Sequence, residues 1–397
     1  MMSSCILKLF ELHLLKILKI KFHINHCQFG FTKNNSNTDD TYILKDILNN
    51  YTSKKSKAYG LFIDLSKAFD KIDHFILLEK MLNDKVESDI VMLLASVLRN
   101  QTACIKWENK WGESRFLDKG VRQGGILSPL LFNYYINDIL TKISRIEHGC
   151  KFGLLRINII SYADDMVIVA HNINSLNIIY KKFKELIESS KLLINEEKSK
   201  IVIFTKGKMV NNFRNLILNN SSFEVVESYN YLGHIIKYNL NDSEDILHKL
   251  KKFYIAFNST YRKFNKVNLD TLIFLFKSFC NPQYGIPLWN CSDIFKKNEF
   301  KTFETAFHYS LKKILNVPKS TGNHTVADIF NILLFKHNVA WIQVKYLFRL
   351  IKSSNPILKY NKIYILAGYF SKHIQNVVKK IIILIFWIMI CRQFFQE

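Results

Sequence analysis

The apolar positions of the chain change period several times, and each change marks an element. Residues 58–63 (Ala-Tyr-Gly-Leu-Phe-Ile) form a short apolar run of strand length that ends on Asp64, and a helical run follows from Ser66 to Met81. Leu131, Phe132, Tyr135, Ile136, Ile139 and Leu140 recur at helical spacing, with Ser128 placed as N-cap and Pro129 as the first helical residue. Between Ile160 and Ala170 two apolar strands enclose Ala163-Asp164-Asp165, the tip of a tight hairpin. Leu176, Ile179, Tyr180, Phe183, Leu186 and Ile187 then give a helix expected to pack under the sheet that carries Asp164. Helix is also expected at the surface over Met1 to Phe22, over the basic stretch Asp245 to Lys266, and over the run Phe303 to His308 that leads to Pro318.

The chemistry suggested by this pattern is acidic. Two neighbouring carboxylates against a hydrophobic sheet repel each other and resist desolvation, so a cation belongs beside Asp164 and Asp165. Taken alone, Asp-Asp reads first as an ordinary exposed turn. Asp64, at the carboxyl end of its strand, is well placed to share metal ions with the hairpin. Oxygen ligands and a phosphate substrate favour magnesium or manganese over zinc. Gly120, Gly124 and Gly125 form a loop without side-chain bulk, able to approach a base pair closely before feeding the helix that starts near Ser128.

Several ordered motifs carry a family resemblance. Phe62-Ile63-Asp64-Leu65-Ser66-Lys67-Ala68-Phe69-Asp70-Lys71-Ile72-Asp73-His74, then Gly120-Val121-Arg122-Gln123-Gly124-Gly125-Ile126-Leu127-Ser128-Pro129, then Tyr162-Ala163-Asp164-Asp165, resemble the successive palm motifs of a reverse transcriptase of non-LTR (LINE-type) retrotransposons. Leu193-Ile194-Asn195-Glu196-Glu197-Lys198-Ser199-Lys200 resembles the family's lysine-bearing motif, and Tyr231-Leu232-Gly233 its primer grip. Gln28-Phe29-Gly30-Phe31 resembles the end of the fingers, although relatives usually carry a basic residue where Thr32 stands. Arg122 and Gly125 replace the proline and serine of many relatives and are familiar variants.

The resemblance implies RNA-directed DNA polymerase activity with two Mg2+ (or Mn2+) ions. It assigns Asp64 and Asp164 as bridging ligands, Asp165 as a supporting ligand, and the Leu65 carbonyl to the metal shell. Backbone amides from Leu65 to Phe69 would face the triphosphate. Phe69 would crowd a ribose 2′ hydroxyl, or else simply pack in the core. Gln123 would reach the incoming nucleotide or template base, or else be a solvated loop amide. Lys198 would protonate pyrophosphate or lie near it as a cation, or else be a solvated turn residue. Asp70 and Asp73 read as caps or surface charges. The partners implied are an RNA template, a DNA primer and a dNTP.

The implied fold is α+β, a right-hand polymerase architecture with a palm sheet backed by helices, partial fingers and a helical thumb-like region. Its divisions would be 1–50 for a partial fingers segment, 51–240 for the palm with a fingers contribution, 241–345 for a helical thumb and post-thumb region that includes Tyr284 to Trp289, and 346–397 for a helical or poorly defined tail. The family's upstream triphosphate-clamping pattern, an endonuclease domain and a zinc knuckle are not found in the sequence. An expectation of a partial copy follows, with an inactive remnant that at most binds nucleic acid as the alternative. An intron maturase or telomerase fits the Tyr162-Ala163-Asp164-Asp165 context less well.

Composition changes this picture little. A net charge of +23 and a pI near 9.5 suit a protein that tracks phosphate backbones, but a chain rich in Lys, Asn, Ile and Phe is also what an AT-rich genome encodes. Clusters such as Lys54-Lys55-Ser56-Lys57, Lys181-Lys182, Lys249 to Lys252 and Arg262-Lys263 read as solvated faces, or as strand contacts in a polymerase. Seven cysteines without paired short spacing suggest neither a zinc finger nor a disulfide framework, which fits an intracellular location, nucleus or cytoplasm, rather than secretion. The apolar segment Ile381 to Cys391 falls short of the roughly twenty residues a membrane span needs and gives no firm sign of a membrane partner.

Overall fold

The computed structural model describes residues 5–99, 101–207, 214–281, 285–290 and 294–358. They fall into two compact units, one made of 1–40 with 46–229, the other of 41–45 with 230–397.

The first unit is built on a six-stranded sheet in the order β11-β12-β10-β1-β9-β8. Its centre is β1 (Ala58–Ile63), buried at all six positions and flanked on both edges by antiparallel neighbours. These neighbours are β9 (Asp165–Ala170) and β10 (Lys200–Phe204). A strand covered on both faces has no solvent side to encode, which is why its sequence is continuously apolar. The hairpin partner of β9 is β8 (Ile159–Tyr162), and the far edge is β11 (Asn215–Leu218) with β12 (Ser221–Val225). Short ribbons lie outside the sheet: β2 to β5 (Thr102–Ala103, Lys106–Trp107, Lys110–Trp111, Arg115–Phe116), then β6 (Cys150–Phe152) with β7 (Leu155–Ile157).

Helices α1 (Cys5–Lys21), α2 (Asn37–Ser53), α3 (His74–Asn83), α4 (Ser88–Arg99), α5 (Ser128–Ser144) and α6 (Ile173–Ser189) complete this region. The apolar set of α5 is buried as its spacing predicts. Helix α6 packs on β9 and β1 and against α5, with every expected core position buried except Leu186, which is half-buried. Helix α1 is the expected surface helix, and it is anchored along one side: Glu11, Leu14 and Leu18 are buried, and Glu11 Oε2 accepts from the Ile126 amide at 2.8 Å.

Two expected boundaries move. The continuous helix from Ser66 to Met81 is instead a 3-10 turn, Ala68–Lys71, followed by α3. Lys67 adopts a left-handed φ of 49°, and Asp73 stops and restarts the chain by accepting from the amides of Phe75 (3.0 Å) and Ile76 (3.2 Å). Asp73 is itself held by Lys191 at 2.8 Å. Ser128 does not cap α5; its hydroxyl donates to the Arg122 carbonyl at 2.6 Å and ties down the glycine loop, while Leu127 stands at the helix start.

The hairpin of β13 (Ser228–Tyr231) and β14 (His234–Lys237) begins with the last two residues of the first unit and otherwise belongs to the second. Helices α7 (Ser243–Phe264), α8 (Leu269–Leu275), α9 (Asn298–Leu315), α10 (Asn323–Ile329) and α11 (Phe335–Lys352) follow, which gives the expected helical character. They close on an aromatic core in which Phe303 lies 5.5 Å from Phe253 and 4.8 Å from Phe335, ring centre to ring centre. Helix α11 runs through position 345, and Ile381 to Cys391, like Tyr284, lies outside the described residues. Among the described residues no helix is long and apolar enough to cross a membrane.

Candidate active site

Strand register assembles the acidic residues. Ile63 pairs with Met166 across β1 and β9, and Tyr162 pairs with Asp165 across β8 and β9, so Asp64, the residue after β1, meets the turn that carries Asp164 and Asp165. Their fields follow from that proximity. Burial, then the negative charge of Asp64, raises the Asp164 carboxyl, and desolvation followed by the charges of Asp164 and Asp64 pushes Asp165 up to about 6. Asp165 keeps contact with solvent, so water moderates but does not remove this repulsion. Tyr229, at the start of the following hairpin, stacks on Phe62 at 4.4 Å, and its hydroxyl is raised by burial and then by Asp165 and Asp64.

Among the described residues no lysine, arginine or histidine forms an ion pair with Asp64, Asp164 or Asp165. Nor do any three His, Cys, Asp or Glu side chains converge into a closed metal cage among those residues; the aspartates form a charge-coupled group, not a finished ligand shell. As a donor set, all carboxylate oxygen and uncompensated by protein cations, they fit hard divalent ions such as Mg2+ or Mn2+.

The backbone around Asp64 is fixed by the segment after α6. The Asp64 amide donates to Ser199 Oγ at 3.1 Å, the Asn195 amide donates to the Asp64 carbonyl at 2.8 Å, and Ser199 Oγ donates to the Asn195 carbonyl at 2.7 Å. Lys198 lies in that turn, exposed, its amide donating to Asn195 Oδ1 at 3.2 Å. The Ser66 amide donates to the Leu193 carbonyl at 2.9 Å, so within the stretch from Leu65 to Phe69 this amide is engaged by protein and does not face a triphosphate. Leu65 is buried and bridges to Ile194.

Phe69 stacks on Phe132 with centroids 4.7 Å apart, a packing role that also fixes its ring. Gln123 is exposed and donates from Nε2 to Asp70 Oδ1 at 3.2 Å. The close approach at Gly120 is to protein: at its φ of 85°, a Cβ would lie 2.8 Å from the Asp70 backbone. Gly120 therefore seats the loop on the segment that follows Asp64.

On the other side, the Asp164–Asp165 turn depends on a non-glycine residue, Ala163, held at a φ of 56°, a conformation that costs about 1–2 kcal/mol. Gln28 Oε1 accepts from the Ala163 amide at 2.8 Å. Pattern reading quoted Gln28 and Ser199 within motifs but gave them no role. The usable signal was a polar residue inside an apolar run, as with Gln28 between Cys27 and Phe29 and Ser161 between Ile160 and Tyr162.

Tyr231, Leu232 and Gly233 belong to the second unit, where Leu232 (φ 48°) and Gly233 (φ 76°) turn β13 into β14. The next residue, His234, enters a buried charge cluster. His234 Nδ1 lies 3.0 Å from Asp245 Oδ2, Lys45 pairs with Asp242 at 2.5 Å, and Lys249 donates to both Asp245 oxygens at 2.6 and 2.5 Å. Trp289 Nε1 donates to Asp245 at 2.7 Å, and the Ile235 amide does so at 3.0 Å. Burial alone would raise both aspartates. Lys45 and His234 outweigh it at Asp242, and His234 with Lys249 does so at Asp245, holding both well below the usual carboxylate range. Burial pulls the Lys249 ammonium down against the opposing pull of Asp245. Lys249, expected on a solvated face, is therefore buried and internally paired.

A sheet with this strand order and three carboxylates gathered at the end of its central strand is the palm of a right-hand polymerase. A family profile described as reverse transcriptase (RNA-dependent DNA polymerase) matches residues 1–236, more than half of the chain, and the chain belongs to that family. The RNA-directed DNA polymerase from mobile element jockey of Drosophila funebris is 22% identical over 304 residues, covering 73% of this chain and 32% of that protein. The Retrovirus-related Pol polyprotein from type-1 retrotransposable element R2 of Nasonia vitripennis is 28% identical over 135 residues, covering 33% of this chain and 13% of its own length. The chain thus spans about a third or less of these relatives. Among solved structures, apo telomerase from Candida tropicalis aligns with a TM-score of 0.46 and 12% identity, over 94% of this chain and 59% of that one.

Proposed function

We propose that this chain is the polymerase portion of a LINE-type retrotransposon protein and extends a DNA primer with dNTPs on an RNA template. The observation that carries this reading is the charge-coupled group of Asp64, Asp164 and Asp165, brought together by strand register and, among the described residues, without an ion-paired lysine, arginine or histidine. In this reading the primer 3′ hydroxyl oxygen attacks the α-phosphorus of the dNTP and pyrophosphate leaves. Asp64 and Asp164 would hold two Mg2+ or Mn2+ ions, with Asp165 and the Leu65 carbonyl in support; bound there, the ions would ease deprotonation of the 3′ hydroxyl and steady the leaving pyrophosphate.

Around this centre, Phe69, braced by Phe132, would present its edge to the sugar and disfavour a 2′ hydroxyl. Gln123, tethered to Asp70, would border the base, and the exposed Lys198 amine would protonate pyrophosphate or neutralise it. Tyr231-Leu232-Gly233 would grip the primer. The divisions 1–50, 51–240, 241–345 and 346–397 would serve as partial fingers, palm, thumb with post-thumb, and tail, in a protein acting in the nucleus or cytoplasm.

Primer extension on an RNA template with magnesium tests the reading. Extension that falls at least about a thousandfold in Asp164→Ala supports it. No extension from the wild-type chain, with salt-sensitive RNA binding retained, would sink it in favour of a nucleic-acid-binding remnant.

A further inference from the structure

Ala163 is held in place by more than its own turn, and the hold comes from a residue remote in sequence. Gln28 is 1% exposed and uses its whole amide: Oε1 accepts from the Ala163 amide at 2.8 Å and from the Gly30 amide at 2.9 Å, while Nε2 donates to Ser161 Oγ at 3.0 Å. Ser161 Oγ passes the contact on, donating to the Ala163 carbonyl at 3.0 Å. Both peptide groups of the left-handed residue are thus pinned by two linked side chains, Gln28 on the amide and Ser161 on the carbonyl. The segment that carries Gln28 is laced to the same strand by its backbone, Phe29 amide to Ser161 carbonyl at 2.7 Å and Ser161 amide to Cys27 carbonyl at 2.9 Å. It is anchored behind by Asn133 Nδ2, which donates to the Gly30 carbonyl at 2.7 Å. Gly30 has no alternative, because a Cβ there would lie 2.4 Å from the Ala163 nitrogen.

We propose that Gln28 is a positioning residue for the metal-binding carboxylates: through Ala163 and Ser161 it fixes the turn from which Asp164 and Asp165 project toward Asp64, and so sets the affinity of the site for divalent cations. The inference rests on the metal-binding part of the proposed function. A left-handed alanine between two strands has less strained conformations available, and adopting one would redirect the chain that carries Asp164. Outer contacts that orient metal ligands change affinity by about ten- to a hundredfold when removed.

The test uses the full chain and two readouts: Mn2+ binding by titration calorimetry without substrate, and the magnesium concentration giving half-maximal primer extension. Gln28→Ala is expected to weaken Mn2+ binding about tenfold or more and to raise the magnesium requirement in parallel. Placing Ala163→Gly in the same chain should recover part of the loss, because glycine occupies the left-handed region without strain. Should Gln28→Ala fail to fold, Ser161→Ala, which leaves the Oε1 bonds intact, is expected to weaken Mn2+ binding about threefold, a fraction of the full effect. A lower melting temperature with unchanged Mn2+ affinity in the folded variant, or no Mn2+ binding by the wild-type chain, overturns the proposal. Mn2+ binding that is lost in Asp164→Ala and weakened in Gln28→Ala, in a chain that extends no primer, would keep this inference and reject the polymerase reading alone.

Discussion

Asp164 and Asp165 in the first unit and Asp242 and Asp245 in the second are the same side chain in opposite electrostatic states. Around Asp242 and Asp245 the protein supplies its own cations, Lys45, Lys249 and, when protonated, His234, together with Trp289 and backbone amides, and both carboxyls are held low despite burial. Around Asp164 and Asp165, among the described residues, the neighbouring charge is a third carboxylate, and both are raised, Asp164 against a backbone hydrogen bond that lowers it. In a chain of net charge +23, that no ion pair reaches the triad among the described residues does not reflect a shortage of lysines. An internal ion pair would occupy the oxygens an incoming cation needs, so an acidic cluster left uncompensated is poised for a ligand, whereas a compensated one is a bolt. The bolt sits directly after Tyr231-Leu232-Gly233 and locks the start of β14 to α7.

The strongest way to break this comparison is to neutralise one member of each group. Asp64→Asn should lower primer extension by at least about a thousandfold while leaving the melting temperature unchanged or higher, since it relieves repulsion in the metal-free chain. A melting temperature lowered by many degrees would mean that the triad is a structural element. Asp245→Asn should do the reverse to the fold. It leaves Lys249 short of its buried partner and should destabilise the second unit by about 3–5 kcal/mol in urea unfolding.

pH sharpens the contrast next. The folded pKa of Asp165, about 6, lies above its unfolded value near 4, so the stability linked to it is fully present below pH 4 and lost as pH rises through 6. Magnesium should therefore raise the melting temperature more at pH 7.5 than at pH 5. Asp242 and Asp245 have depressed values, so their contribution is present above about pH 4 and lost as pH falls below it. Differential scanning calorimetry across pH 3–8 with and without Mg2+ separates the two, and a magnesium effect independent of pH would contradict the first. The smallest effect is expected for Ser199→Ala. It removes the hydroxyl that accepts from the Asp64 amide and should destabilise by about 1 kcal/mol in denaturant titration, with a small rise in the magnesium requirement.

Much of the palm was legible because its signals are local. Continuous apolar runs marked β1 and the β8–β9 hairpin, helical spacing marked the buried faces of α5 and α6, and the acidic motifs stood at strand ends and turns. Boundaries set by competing hydrogen bonds were not. The pattern from Ser66 to Met81 is helical throughout, yet Asp73 caps a new helix inside it because Lys191, far along the chain, holds its other oxygen. Ser128 looks like a cap in sequence, and the Arg122 carbonyl claims its hydroxyl. Lys249, among other lysines, carries no mark of burial, since its partner Asp245 is enclosed only when Trp289, the residue after the 3-10 turn Ile286–Leu288, donates to that carboxylate.

The chain by itself determined which residues bear charge, which faces are apolar, and that its acidic motifs follow one another in the order of a reverse transcriptase palm. Tertiary structure alone decided which charges are answered from within. Burial raises the energy of any carboxylate, and only the placement of residues distant in sequence settles whether a lysine, another carboxylate or a glutamine amide stands beside it. Lys45 therefore neutralises Asp242, and Gln28 seats the turn that leaves Asp164 and Asp165 open to a cation.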